Sequence, residues 1–362
     1  MISMVNIFKR LLADPARIYK EKFSTLNDKR IIKQYSQTTG NPEVPSISGL
    51  DSVVRLNSTY LELVDRLYYW RGMATLYGGV AFFWMFILCF LWILIQVLLK
   101  GGVDLVGWTA LIVSWGIIAL PVSWVSYKAL ISEILGLTYY PIRFNRVNKM
   151  VYMYQAGEQV LAVPWRDITF VLGSNGGWSE SWSIFGCITD ESGEKVTAII
   201  PLPARLNWSQ ESLGIFWEFI RCYMEEGDES LPDLADATTW CVPVEKQKES
   251  WLFGLLYLYK QYVWLGLIIN LPLLPVILLI SIVRWVIMQT SRIPVWPEEV
   301  EAACQVADND PVNKGPEHNP PQLWRQMLAI QGKKRFDEVF ATERAAMNRI
   351  TARLKEKYGA SE

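Results

Sequence analysis

Two uncharged runs, GMATLYGGVAFFWMFILCFLWILIQVLL at 72–99 and LVGWTALIVSWGIIALPVSWVSY at 105–127, decide how this chain is read. They hold 28 and 23 residues, and the loop between them carries only Lys100 and Asp104 as charges. About 20 apolar residues suffice to cross a hydrocarbon core. A soluble core rarely needs helices that are apolar on every face for about six or seven turns. The runs therefore predict a transmembrane helical hairpin over 72–127.

Composition agrees with that class. Of 362 residues, 51% are hydrophobic and 17 are tryptophan, as expected of a chain divided between bilayer and water and long enough for more than one domain. The formal net charge of -1 supplies no basic field for nucleic acid. Cys89, Cys187, Cys222, Cys241 and Cys304 lie far apart with no C-x-x-C pair, so they read as small buried side chains. Met1 to Lys33 mixes apolar residues with eight lysines and arginines, so no cleaved signal is expected. The first run is expected to act as a signal anchor, with the residues before it in the cytoplasm.

Upstream of the hairpin, residues 1–71 read as cytoplasmic amphipathic helices and a linker. Met4 to Phe23 has apolar residues near helical spacing, interrupted at Pro15. Gln37 to Gly49 is rich in Thr, Ser, Pro and Gly and reads as the linker. Ser52 to Trp70 shows a second helical pattern through Val54, Leu61, Val64, Leu67 and Tyr68. Tyr68, Tyr69 and Trp70 beside Arg71 suit the headgroup level.

Downstream, over 128–228, the hydrophobic period changes from helical to alternating. Six short β-branched or aromatic segments, beginning at Pro141, Val151, Gln159, Ile168, Ser183 and Lys195, are separated by turn signals. They predict an antiparallel meander that curls on itself. A helix follows, capped by Asn207 or Ser209, with Leu213, Phe216, Trp217, Ile220, Tyr223 and Met224 on one stripe. The order of these elements resembles the pleckstrin-homology architecture. The expected fold class is thus an α+β membrane protein, with a pleckstrin-homology-like antiparallel sheet domain inserted among transmembrane helices and a C-terminal helical segment.

Residues 229–249 read as a polar linker back to the membrane, and 250–289 as a second transmembrane region. That region has two readings. Either Trp251 to Leu271 and Leu274 to Met288 are two short spans turning at Pro272 to Pro275, or Tyr262 to Met288 is one span behind an interfacial helix. Arg55, Arg66 and Arg71, then Lys128, Arg143 and Arg146, Lys246 and Lys248, and finally Arg284 and Arg292 all flank membrane ends, against a lone Lys100 in the hairpin loop. Cytoplasmic flanks carry the excess of positive charge, so an even number of crossings, four, is preferred. Lys260 inside a span is the cost of that preference, about 2.5–3.5 kcal/mol. Residues 290–362 read as a cytoplasmic tail with a short helix at Glu298 to Cys304 and a long helical segment over Gln322 to Tyr358, bent at Gly332.

Catalytic chemistry has little to draw on. His318 is the single histidine and sits in a proline-rich loop, and no phosphate-loop or H-E-x-x-H motif occurs. No cofactor and no metal site are expected; Glu298, Glu299 and Glu301 read as solvated. Arg143, Arg146 and Lys149 form a basic cluster near the second span, with two readings: ordinary flank charge, or a receiver for an anionic lipid headgroup. Trp178 and Trp182 beside a glycine-rich turn read as either core or an exposed partner surface. Arg284 reads as a side chain that snorkels to the interface.

The hairpin, the segments Tyr140 to Arg146, Val151 to Tyr154 and Val163 to Asp167, and the later stretches Pro294 to Cys304 and Asp308 to Pro311 resemble a group of uncharacterised bacterial multi-span membrane proteins often encoded beside type VI secretion effectors. The resemblance implies a bacterial inner-membrane, multi-pass protein with a role set by its gene neighbourhood, and the positive flanks place its soluble parts mainly in the cytoplasm. It implies a non-enzymatic immunity or accessory protein that binds a cognate toxin; the alternative is a membrane-anchored adaptor or lipid-sensing scaffold. Expected partners are a cognate effector and membrane lipid, not nucleic acid, and self-association is left open.

Overall fold

The computed structural model describes residues 23–101, 104–134, 136–155, 159–174, 181–204, 208–260, 266–327 and 333–359. The amphipathic helix expected from Met4 lies outside them, up to residue 22.

The hairpin forms as α1 (Met73–Lys100) and α2 (Leu105–Glu133). The Asp104 carboxylate caps α2 by accepting from the Gly107 amide at 2.8 Å. The two helices meet where Ser126 Oγ donates to the Gly78 carbonyl at 2.7 Å. Most of their described side chains are exposed or half-buried rather than packed into a core. Among the described residues, three helical segments are long and apolar enough to cross a membrane: Tyr68–Leu99, Leu105–Glu133 and Leu271–Thr290.

All six predicted strands form, as β4 (Ile142–Asn145), β5 (Met150–Tyr154), β6 (Val160–Pro164), β7 (Ile168–Ser174), β8 (Trp182–Thr189) and β9 (Val196–Pro201). They divide between two antiparallel sheets at the 3-10 turn Trp165–Asp167. Each sheet is completed from upstream of the hairpin by β1 (Ile31–Gln34), β2 (Val53–Leu56) and β3 (Tyr60–Leu63). The orders are β2-β3-β4-β5-β6 and β1-β7-β8-β9.

The helical pattern expected over Ser52 to Trp70 is therefore corrected: the segment is the β2–β3 hairpin followed by a 3-10 turn at Tyr68–Trp70. Every residue of β2 and β3 is buried, and Val54, Leu61, Val64, Leu67 and Tyr68 also fall near helical spacing, so the pattern of apolar residues fits either element. The turn is set by Asn57, whose Oδ1 accepts from the Thr59 and Tyr60 amides at 2.9 and 2.7 Å. Because β3 pairs directly with β4, with Glu62 opposite Arg143, the whole membrane hairpin is an insertion between two adjacent strands. Residues 23–71 belong to the same body as the sheet after the hairpin, and the expected boundary between them does not exist.

The predicted plug helix is α3 (Gln210–Glu225), capped by Ser209 Oγ, which accepts from the Ser212 amide at 3.1 Å. Its stripe of Leu213, Phe216, Trp217, Ile220, Tyr223 and Met224 is buried against both sheets. Trp217 stacks on Trp165 with ring centroids 5.8 Å apart and meets Phe170 at 4.7 Å. The supposed linker at 229–249 is also corrected. It carries α4 (Leu231–Ala237), buries Val242 and Val244, and lays the Val242 amide on the Val53 carbonyl at 2.7 Å. Its polar residues misled because only one face of the segment meets water.

The second apolar region divides into α5 (Trp251–Tyr259) and α6 (Gly266–Thr290), with Pro272 and Pro275 inside the latter rather than at a turn. The turn at Pro272 to Pro275 that the preferred reading needs does not form, and residues 261–265 of its first span lie outside the described residues. Phe253, Leu256, Tyr257 and Leu258 of α5 pack with Tyr68, Tyr69, Tyr139 and Trp240 of the body. Lys260 pairs with Asp51 at 2.7 Å, so its charge is answered within the protein.

Beyond α6 the chain returns to the body. The predicted short helix is α7 (Glu298–Ala303), and the long segment is α8 (Leu323–Met327) and α9 (Lys333–Tyr358). The bend expected at Gly332 lies outside the described residues. Trp296, Val300 and Cys304 cluster with Tyr60, Tyr152 and Tyr154. Lys314 and Leu56 exchange backbone hydrogen bonds of 2.7 and 2.9 Å, which covers part of the outer edge of β2. Ala346, Ile350 and Leu354 of α9 are buried, and Arg349 and Arg353 hold Asp233 of α4 at 2.7 and 2.6 Å.

Candidate functional site: ion-pair clamps and an open sheet edge

The structure does not bring Arg143, Arg146 and Lys149 together as an exposed basic patch. Arg143 is buried, and its Nε donates to Glu62 Oε2 at 2.5 Å across the β3–β4 pair. Its guanidinium lies over the Tyr60 and Trp296 rings, 4.3 and 4.8 Å from their centroids. Nη1 is 3.0 Å from Glu301 Oε1, an ion pair without hydrogen-bond alignment. Glu62 also accepts from Tyr139 Oη at 2.8 Å and Trp296 Nε1 at 3.1 Å.

Arg146 and Lys149 serve the C-terminal end of α3. Arg146 donates to the Glu226 carbonyl at 2.9 Å and pairs with Asp228 at 2.8 Å, while Lys149 donates to the Met224 carbonyl. Cations at the last carbonyls of a helix satisfy groups that have no intrahelical partner and match the dipole. Trp182 opens β8 opposite Ser174 and packs half-buried on the edge of the core. Trp178 and most of the glycine-rich turn lie outside the described residues. Among the described residues, no group of three or more His, Cys, Asp or Glu side chains is placed to hold a metal.

Three further arginines, none grouped by their sequence positions, make equivalent clamps. Arg55 Nε bonds both Glu245 oxygens at 2.9 Å, and its Nη1 reaches Glu317 at 2.9 Å and Asn313 at 2.8 Å. Arg221, wholly buried, holds Glu218 at 2.8 Å and Glu226 at 2.9 Å beneath the Tyr358 ring. Arg284, also wholly buried, does not snorkel. It pairs with Glu249 through Nε and Nη2 at 2.6 and 2.9 Å and donates from Nη1 to the Tyr68 carbonyl at 2.7 Å. The one signal available in sequence was an arginine inside an apolar run, which demands a buried counter-charge from elsewhere.

Where the apolar helices meet the body, these contacts lock helix ends to it. Glu133, in the last turn of α2, accepts from the Gly72 and Thr75 amides at 3.0 and 2.8 Å and so caps α1. Nearby Asp65 accepts from the Leu67 and Tyr140 amides, and its carboxyl is pushed up from the ordinary range by burial, with Arg71 opposing.

A concave surface lies beside β1. A groove of about 440 Å³ runs between β1, the loop through Asn41 and Glu43, and the flank of α3 at Glu211 and Gly214, with the buried Trp217 at its floor. It borders the edge strand of the four-stranded sheet. Tyr35 stacks on Trp217 at 5.3 Å on its wall, and its hydroxyl is pushed up to about 12 by burial and by the charge of Glu218. Periodicity could not reveal this groove, because β1 with its following loop and α3 are more than 160 residues apart in sequence.

These features define a class: a two-sheet α+β body with apolar helices spliced into it, closed by buried arginine clamps. Within that class the chain belongs to a family described as a family of unknown function (DUF6708), whose model matches residues 119–308. The match runs from the middle of α2 past α7. No curated protein and no solved structure matches the chain.

Proposed function

We propose that this protein is a membrane-anchored binding protein that acts by contact rather than turnover, with a cognate type VI secretion toxin as its partner and immunity as its role. The observation that carries the binding reading is the insertion of the apolar hairpin between the paired strands β3 and β4. A body spliced in this way moves with the membrane and is presented at a fixed height above it. The strong ionic clusters of the body are committed to holding chain segments together, which suits a scaffold. The toxin itself is supplied by the resemblance to proteins encoded beside type VI effectors. The positive flanks support the inner membrane with the body on the cytoplasmic side.

A pleckstrin-homology-like body is supported by element order: the four-stranded run β3–β6, the three-stranded run β7–β9, then the plug helix α3. The groove beside β1 favours a second reading, an adaptor that takes an extended segment of a secretion component along the sheet edge. Co-expression with the product of the adjacent gene tests the first reading, following viability and membrane potential and then co-purification in detergent. Rescue with a stable complex is expected. A harmful neighbour that this protein neither binds nor neutralises overturns immunity and leaves the adaptor.

A further inference from the structure

The contacts on either side of the third apolar helix place its two flanks on one face of the bilayer. Before α6, Lys260 Nζ is 2.7 Å from Asp51, and Tyr257 Oη donates to the Asp51 carbonyl at 3.3 Å. The Tyr257 ring is also 5.6 Å from the Arg284 guanidinium, near the C-terminal end of α6. After α6, Ser291 Oγ donates to the Glu133 carbonyl at 3.3 Å, and Arg292 and Gly136 share a backbone bond of 2.8 Å. The start of α1, the end of α2, the end of α5 and the end of α6 thus meet the body at one level.

Chain length then limits how deep α6 can reach. Gly266 is six peptide steps beyond Lys260, at most about 22 Å even at full extension. The hydrocarbon core is about 30 Å thick. The N-terminal end of α6 therefore falls short of the far interface, although Gly266 to Arg284 spans about 27 Å of helix and leaves room for tilt. Leu271, Leu274, Val276, Leu279 and Ile282 are exposed on α6, while Ile277, Ser281, Arg284 and Met288 are buried. One side of the helix packs on the protein and the other is a continuous apolar face.

We infer that α5 and α6 form a re-entrant unit whose apolar face sits in the acyl region of the leaflet nearest the body, and that only α1 and α2 cross. The chain crosses twice, and its tail stays on the side of the sheets. This topology agrees with the positive flanks without placing Lys260 in hydrocarbon. It differs from both four crossings and three.

Single cysteines added to the full-length chain in sealed membranes test it, with the unsubstituted chain as the blank. Val147→Cys, Val295→Cys, Leu105→Cys and Leu271→Cys all lie at well-exposed positions. A membrane-impermeant maleimide is expected to reach Val147→Cys and Val295→Cys from the same face and Leu105→Cys from the other. Leu271→Cys is expected to react from neither face, and a fluorophore placed there with a permeant reagent is expected to be quenched by spin labels on the acyl chains. Labelling of Val147→Cys and Val295→Cys from opposite faces, or of Leu271→Cys from either face, overturns the inference. A carboxy-terminal reporter fusion gives the side of the tail independently.

Discussion

Arg284 and Glu249 form a two-point ion pair, Nε to Oε1 at 2.6 Å and Nη2 to Oε2 at 2.9 Å, with both side chains closed off from solvent. Tyr68 completes it, donating from Oη to Glu249 Oε2 at 2.5 Å and lending its carbonyl to Arg284. Three separate stretches, the approach to α1, the approach to α5 and the end of α6, therefore share one charge cluster. Removing either partner leaves a buried charge unanswered, which costs about 3–5 kcal/mol.

Arg284→Met and Glu249→Leu are each expected to lower thermal stability in detergent by that order, while the double variant recovers most of the loss. A double-mutant cycle on unfolding midpoints measures this, and losses that simply add would contradict the pairing.

Gly72 sits at φ +86°, and a Cβ there would lie 2.8 Å from the Arg284 Cα. Gly101 has φ +71° but nothing within 4 Å. Gly101→Ala is expected to lose only the backbone preference, about 1 kcal/mol, and Gly72→Ala clearly more, because backbone must move away from backbone. Comparing the two midpoints separates strain from contact.

The three basic residues are expected to behave differently from one another when changed to Ala. Arg143→Ala strands Glu62 and is expected to cost about 3–5 kcal/mol. Arg146→Ala and Lys149→Ala, whose carboxylate partners are wholly or partly exposed, are expected to cost about 0–1 kcal/mol each. Equal, small losses accompanied by weaker binding to vesicles of anionic lipid would instead restore the lipid-patch reading.

The tail is expected to loosen in acid. Burial alone would raise the Glu226 carboxyl, but Lys357 and Arg221 outweigh it and hold the group below its ordinary value of 4.5; Arg55 does the same to Glu317. A depressed carboxyl contributes stability that is present above the ordinary value and is lost as pH falls through the lowered one. Hydrogen exchange in α9 is expected to rise as pH falls below the ordinary value of 4.5 and through the lowered one, before exchange in β4 and β8 does. Glu226→Gln is expected to remove that dependence for the end of α9 while the segment around Glu317 keeps its own.

Sequence alone determined the elements whose burial pattern is simple. A hairpin apolar on every face announces itself, the strands β4 to β9 are short β-branched or aromatic segments set off by turn signals, and α3 carries a single apolar stripe. Tertiary structure decided the rest. β2 and β3 are four residues each and their apolar positions also fit helical spacing, so a helix could be read into them; their strand pairing is secured by β4, some 80 residues away. The segment with α4 looked like linker because its exposed face was the charged one. Arg143 and Arg284 could be recognised as unusual in sequence, but Glu62 and Glu249, the partners that fix their meaning, arrive from other parts of the chain. A buried charge is defined by what surrounds it, and only the folded chain brings those surroundings together.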